Sequence, residues 1–239
     1  MTWPDLLGLG LALLVLGVVL AAAYRTSVLL RHFRPRLNPL LSPAENLFRV
    51  ILIGLTLLIA FIMGASPAEL GLKGFDPTEV LLGVGLGVGA LVAINLAAAG
   101  GLAVFGPGIY RAGVIRAVLP RRRAEWPPVL GALLLASFQE ELFFRGLLLG
   151  VFDRFFPPVG LNLAVGVFFG LAHLPQGKLG VVLAGLASVY LGFIFLWRSH
   201  LLTPWVCHFV FNAGQLALAA RFPHWLKLAE AEGGLYENH

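Results

Sequence analysis

Glu140, Glu141 and Arg145 stand in the stretch SFQEELFFRG, inside a run of apolar residues long enough to cross a bilayer. Ionised groups within a span are expensive; as a rule they face the bundle interior and mark functional sites. Glu141 and Arg145 are i,i+4 with the acid first, the favourable order for an ion pair on one helix. Glu140 points about 100° away and has no such partner on its own helix. Further along, His173 closes the stretch FFGLAH, and His208 and Asn212 are again i,i+4, presenting two polar groups to one side.

These residue types support two chemistries. A carboxylate kept from bulk water can act as general base on a water molecule that a neutral histidine shares and orients. A second histidine and an asparagine amide can donate to a developing oxyanion. Together they would hydrolyse an amide without a covalent nucleophile. Glu140, His173 and His208 could instead hold a catalytic zinc ion, since two histidines and a carboxylate with an open position form such a site. No cofactor is firmly expected.

Other proteolytic schemes fit less well. HExxH is absent, as is a GxSG-like stretch around Ser137 or Ser188. Asp5, Asp76 and Asp153 are the only aspartates, and none lies deep in a span. Cys207 abuts His208, but helix neighbours diverge by about 100° and make a poor nucleophile–base pair. A different class of reading is a non-catalytic immunity or binding protein, or a proton-coupled carrier using Glu140 and His173 as a relay. A carrier would show repeated halves, which this chain lacks.

The elements that must position these groups are helices. Of 239 residues, 59% are hydrophobic and 12% charged, against about 25% charged in soluble domains. The runs are apolar on all sides, unlike barrel strands. We expect an all-α polytopic transmembrane bundle of about seven spans, with eight as the alternative. The spans run roughly 6–23, 46–64, 79–105, 128–151, 159–173, 179–197 and 201–220. Residues 1–239 form a single integral membrane domain, with the motif-bearing core at about 128–220. The first run reads as a retained helix, since no basic n-region precedes it. At about 1.5 Å per residue, Glu140, His173 and His208 lie roughly 16, 21 and 10 Å from the outer edge. Three non-adjacent helices can therefore bring them to one pocket.

The net charge of +5 is not a nucleic-acid signal. The arginines gather in loop 24–45 (Arg25, Arg31, Arg34, Arg36) and loop 106–127 (Arg111, Arg116, Arg121, Arg122, Arg123), as cytoplasmic loops require. This predicts a cell-membrane protein with its N-terminus outside and its C-terminus in the cytoplasm. The tail from Arg221, HWLKLAEAE, should lie at the membrane surface. GVGLGVGA in the third span reads as a small-residue helix-packing seam rather than a nucleotide loop. Cys207, the single cysteine, excludes an intrachain disulfide.

The ordered set EELFFR (Glu140–Arg145), FGLAH (Phe169–His173) and HFVFN (His208–Asn212) resembles the motifs EExxxR, FxxxH and HxxxN. They characterise the CAAX-protease and bacteriocin-processing (CPBP, or Abi) family of intramembrane endopeptidases, which includes the type II CAAX prenyl endopeptidases. The resemblance implies that Glu140 activates water with His173, that His208 and Asn212 form the oxyanion site, and that Glu141 and Arg145 support them. It implies a protein or peptide substrate at the bilayer, with lipidated substrates one option. The family has been described both as metalloprotease-like and as metal-independent. Asn212 favours the latter, being a poor zinc ligand and a good oxyanion donor.

Overall fold

The computed structural model describes residues 1–32, 35 and 37–223, the side chains of Arg31 and His32 excepted. Arg34, Arg36 and the HWLKLAEAE tail, expected above to have particular roles, lie outside the described residues. Among the described residues the chain is helical with no strand: α1 (Trp3–His32), α2 (Pro43–Ile62), α3 (Pro77–Phe105), the short α4 (Gly113–Val118), α5 (Trp126–Glu141), a π-helix (Leu142–Val151), α6 (Pro158–Ala172), α7 (Gly177–Arg198) and α8 (Leu202–Arg221).

Among the described residues four segments are long and apolar enough to cross a membrane: Trp3–Leu30, Pro43–Ile62, Pro77–Phe105 and Leu174–Arg198, with Pro158–Ala172 a shorter apolar helix. Leucine, valine and phenylalanine side chains stand exposed along these helices. In a lipid-embedded bundle they face acyl chains. The remaining long segments carry the polar residues: 126–151 holds Glu140, Glu141 and Arg145, and α8 holds His208 and Asn212.

Prolines start several of these helices. Pro43, Pro77 and Pro158 sit in first turns, where a missing N–H costs nothing. Asp76 caps α3 by accepting the Thr78 N–H at 2.8 Å. Two boundaries differ from the sequence reading. The first helix continues to His32, so Arg25 and Arg31 extend it rather than lying in a loop; nothing in 24–32 breaks a helix. The fourth span changes from α to π at Leu142, a widening that hydropathy does not register.

The loops separate into two ends. At one, the segments flanking 33–42 and 106–125 dock on each other: Asn38 Nδ2 donates to the Val118 carbonyl at 2.8 Å and Arg121 to the Pro35 carbonyl at 3.1 Å. Arg111 N–H donates to the Gln176 carbonyl at 2.9 Å, so the end of α6 joins them. The two arginine-rich segments thus share one face. At the other end Arg154 pairs with Glu69 at 2.7 Å, the Leu201 N–H donates to the Gly71 carbonyl, and Arg198 pairs with Glu79 at 2.5 Å. Glu79 also accepts from Thr203, which ties α3, α7 and α8 together.

α3 lies closely along α8, and α6 along α7. The glycine run explains the first pair. A Cβ on Gly83 would stand 2.8 Å from the Thr203 carbonyl oxygen, and one on Gly87 2.7 Å from that of Cys207. Gly85 and Gly89, on the other faces, have nothing within 4 Å. One i,i+4 glycine pair therefore lets the α8 backbone approach, as small-residue seams do in membranes.

Candidate active site

The site begins at the junction of α5 and the π-helix. Glu141 and Arg145 are completely buried, and Arg145 Nη1 donates to Glu141 Oε1 at 2.8 Å. Arg145 Nη2 donates to both the carbonyl and the hydroxyl oxygen of Ser188 on α7, each at 2.9 Å. The pair is monodentate: Glu141 Oε2 and Arg145 Nε are buried without partners among the described residues. The Arg145 guanidinium also lies 5.1 Å from the Phe169 ring centre, which adds a cation–π contact from α6.

Glu141 has a second duty that i,i+4 spacing does not reveal. His208 Nδ1, from α8, lies 2.7 Å from the same Oε1. An ionised carboxylate only accepts, so this geometry sets the proton on Nδ1 and turns Nε2 toward Glu140, at 3.7 Å from its Oε2. Glu140 is one-third exposed, in contrast to its neighbour. It has no hydrogen bond among the described residues.

His173 ends α6, because Pro175 cannot donate back to the carbonyl of Leu171. Its Nδ1 lies 2.9 Å from the Phe169 carbonyl oxygen. A carbonyl also only accepts, so Nδ1 carries the proton and Nε2 offers a lone pair. Phe169 stacks on the His173 ring at 4.6 Å and meets the His208 ring edge-on at 6.0 Å. The phenylalanine of FxxxH is thus a spacer between the two imidazoles, a role the spacing alone left unassigned.

Glu140, His173, His208 and Asn212 all line one cavity of about 470 Å³. Most of its wall is apolar, from α3, α7 and α8, with Tyr110 at the arginine-rich end. Burial pushes the Tyr110 phenol up to about 12, so it stays a neutral donor. The Asn212 amide makes no hydrogen bond among the described residues and is free to donate into the cavity. Cys207 packs with Leu191 and Ile194, away from any pairing with His208.

A second cavity, of about 280 Å³, lies against α1, α2 and the end of α6. Glu140, His173 and Phe169 line both cavities, as do Arg49, Val114 and Gln176. Arg49 was missed in sequence because it lies near a span end and resembles an ordinary flanking arginine. The signal was its register: it opens the stripe of Leu52, Thr56, Ile59 and Ala60 that forms the buried face of α2.

Among the described residues no three His, Cys, Asp or Glu side chains are grouped so as to hold an ion. His208 Nδ1 is engaged by Glu141 and His173 Nδ1 by a carbonyl, which leaves each Nε2 free to meet water or a ligand.

No solved structure matches this chain. The Bacillus subtilis (strain 168) protein named "Uncharacterized protein YyaK" is 46% identical over 75 residues, which cover 29% of this chain and 24% of that protein. The match thus spans about a quarter of that relative's length. The part of the chain that builds the polar cluster gives a more specific match: residues 122–214, which carry Glu140, His173, His208 and Asn212, match the model described as type II CAAX prenyl endopeptidase Rce1-like.

Proposed function

We propose that this chain is an intramembrane endopeptidase that hydrolyses a peptide bond near the C-terminus of a membrane-associated, lipidated protein or peptide. The observation that carries the reading is the cavity lined together by the Glu140 carboxylate, the His173 and His208 imidazoles and the uncommitted Asn212 amide, with His208 held from behind by Glu141 and His173 by the Phe169 carbonyl. Its apolar wall suits a lipid chain, and the matched family's name supplies the prenylated substrate class.

In this reading Glu140 takes a proton from a water that His173 Nε2 orients. The water oxygen bonds to the scissile carbonyl carbon while the carbonyl electron pair moves to oxygen. Asn212 and His208 Nε2–H stabilise that oxyanion, with His208 in its doubly protonated form and Glu141 compensating the charge through Nδ1. Collapse breaks the C–N bond, and the proton held by Glu140 passes to the leaving amine. No step uses a metal. The protein spans the cell membrane about seven times, with the arginine-rich face and the site's opening toward the cytoplasm.

Purified protein in detergent should cleave a farnesylated CAAX peptide after the modified cysteine, as read by product mass. Glu140→Gln and His173→Ala should abolish the product. Wild-type protein that folds and leaves the peptide intact would sink the enzymatic reading in favour of a binding protein.

A further inference from the structure

Arg49 is a cation that the chemistry above does not use. It lies on α2, roughly 9 Å along the helix from Pro43 at about 1.5 Å per residue. Its neighbours Leu47, Val50 and Ile51 are exposed on the lipid-facing side, while Arg49 belongs to the inward stripe that continues through Leu52 and Thr56. Among the described residues its guanidinium makes one hydrogen bond, Nη1 to Asn46 Oδ1 at 3.0 Å, and has no carboxylate within ion-pair distance. Glu45, one turn earlier, is exposed and does not pair with it. A guanidinium inside a span faces a site or a water-filled space by default, and Arg49 lines both cavities where they meet at Glu140 and His173.

We propose that Arg49 receives the C-terminal carboxylate of the substrate, with the residues beyond the scissile bond lying in the smaller cavity. This rests on the endopeptidase reading. A chain crossing the Glu140–His173 junction has its lipid-bearing part in the large apolar cavity and its free end among Val19, Ala22, Phe48, Leu52 and Phe144. Those side chains suit apolar residues, and Arg49, the arginine in a wall that also holds Glu45 and Glu140, suits the terminal charge. The planar fork of arginine matches a carboxylate bidentately. Such a contact makes the enzyme select chain ends: an internal peptide bond offers no carboxylate at that distance.

The test compares a farnesylated CAAX peptide as free acid and as C-terminal amide. For wild type, kcat/KM should fall about 10- to 100-fold on the amide, the range for a charge-assisted hydrogen bond. Arg49→Gln should lose the preference and cleave acid and amide at equal rates, and Arg49→Lys should recover part of the preference. Equal wild-type rates on acid and amide, or an Arg49→Gln variant that still prefers the acid, would overturn the assignment. So would equal losses on both peptides that depend on anionic phospholipid in the micelle, which would make Arg49 a lipid-phosphate contact. Binding of the same peptides to Glu140→Gln protein, with and without Arg49→Gln, separates this from catalysis. Acid-selective binding through Arg49 without any wild-type cleavage would retain the carboxylate site and discard the endopeptidase. Binding without acid preference would discard the carboxylate site whatever the cleavage result.

Discussion

Replacing Glu141 and Glu140 in turn by glutamine should separate two adjacent carboxylates that the sequence presents as equals. Glu141 is fully buried and its Oε1 accepts from both Arg145 and His208, at 2.8 and 2.7 Å. Glu141→Gln removes the charge and leaves Arg145 buried without an anionic partner, met only by neutral groups such as Ser188 and the Phe169 ring. Breaking one partner of a buried pair costs about 3–5 kcal/mol, or about two to three and a half decades in the unfolding equilibrium. Glu140 is one-third exposed and its one ion-pair contact among the described residues, His208 Nε2, is 3.7 Å away; Glu140→Gln should cost less than about 1 kcal/mol. Its activity should fall by about 10²–10⁴-fold, the range for a lost general base. A third variant isolates the positioning role: Glu141→Met with Arg145→Met removes the whole pair, which restores stability but leaves His208 Nδ1 without its acceptor, so activity stays low. Unfolding in mixed micelles followed by tryptophan fluorescence, together with peptide cleavage, reads both quantities. Equal stability losses for the two single variants, or full activity in the double methionine variant, would refute this division.

Gly87→Val should separate α3 from α8 and displace the His208 helix at a cost of about 1–3 kcal/mol or more, whereas Gly85→Val, which meets open space, should leave unfolding and cleavage unchanged. Asn212→Ala should lower kcat about 10²–10³-fold with little change in KM, as loss of an oxyanion donor does, and steady-state kinetics would show it. At the opposite end, the Ser66 backbone N–H, with smaller help from the Ser66 hydroxyl and Arg154, holds the Glu69 carboxyl below its ordinary range. A depressed folded-state value means that this contribution is present above the unfolded value near 4.5 and is lost as pH falls through the folded one. Because Glu69 is 40% exposed, the loss should stay below about 1 kcal/mol, and Glu69→Gln should flatten the acid limb of an unfolding titration by that amount.

The helical class and the approximate segments were legible because the apolar runs are long and proline punctuates them. Four segments meet the length and apolarity of a span outright; the segments bearing the polar cluster do not stand out in the same way, since Glu140, Glu141, Arg145, His208 and Asn212 dilute their apolar character. The polar residues were legible too, since charges in such runs are rare. What the sequence left hidden was partnership across helices. Glu141 reads as an ion-pair partner at i,i+4, yet its bond to His208 spans 67 residues of chain. Ser188, which completes the Arg145 site, is one serine among several until α7 is seen to pack there. Arg49 looked like a flanking charge because span ends are blurred by several residues, and only the register of α2 turns it inward. The π-helix after Glu141 has no hydropathy signature at all.

The central claim, that a Glu140-activated water cleaves the peptide without a metal, is tested most directly by one rate. Protein purified in detergent, stripped with a strong chelator and assayed for metal content, would be given the farnesylated CAAX peptide beside its Glu140→Gln variant. The account predicts undiminished cleavage by the metal-free wild type and none by the variant. Cleavage that vanishes on stripping and returns with zinc, or that persists in Glu140→Gln, would contradict it.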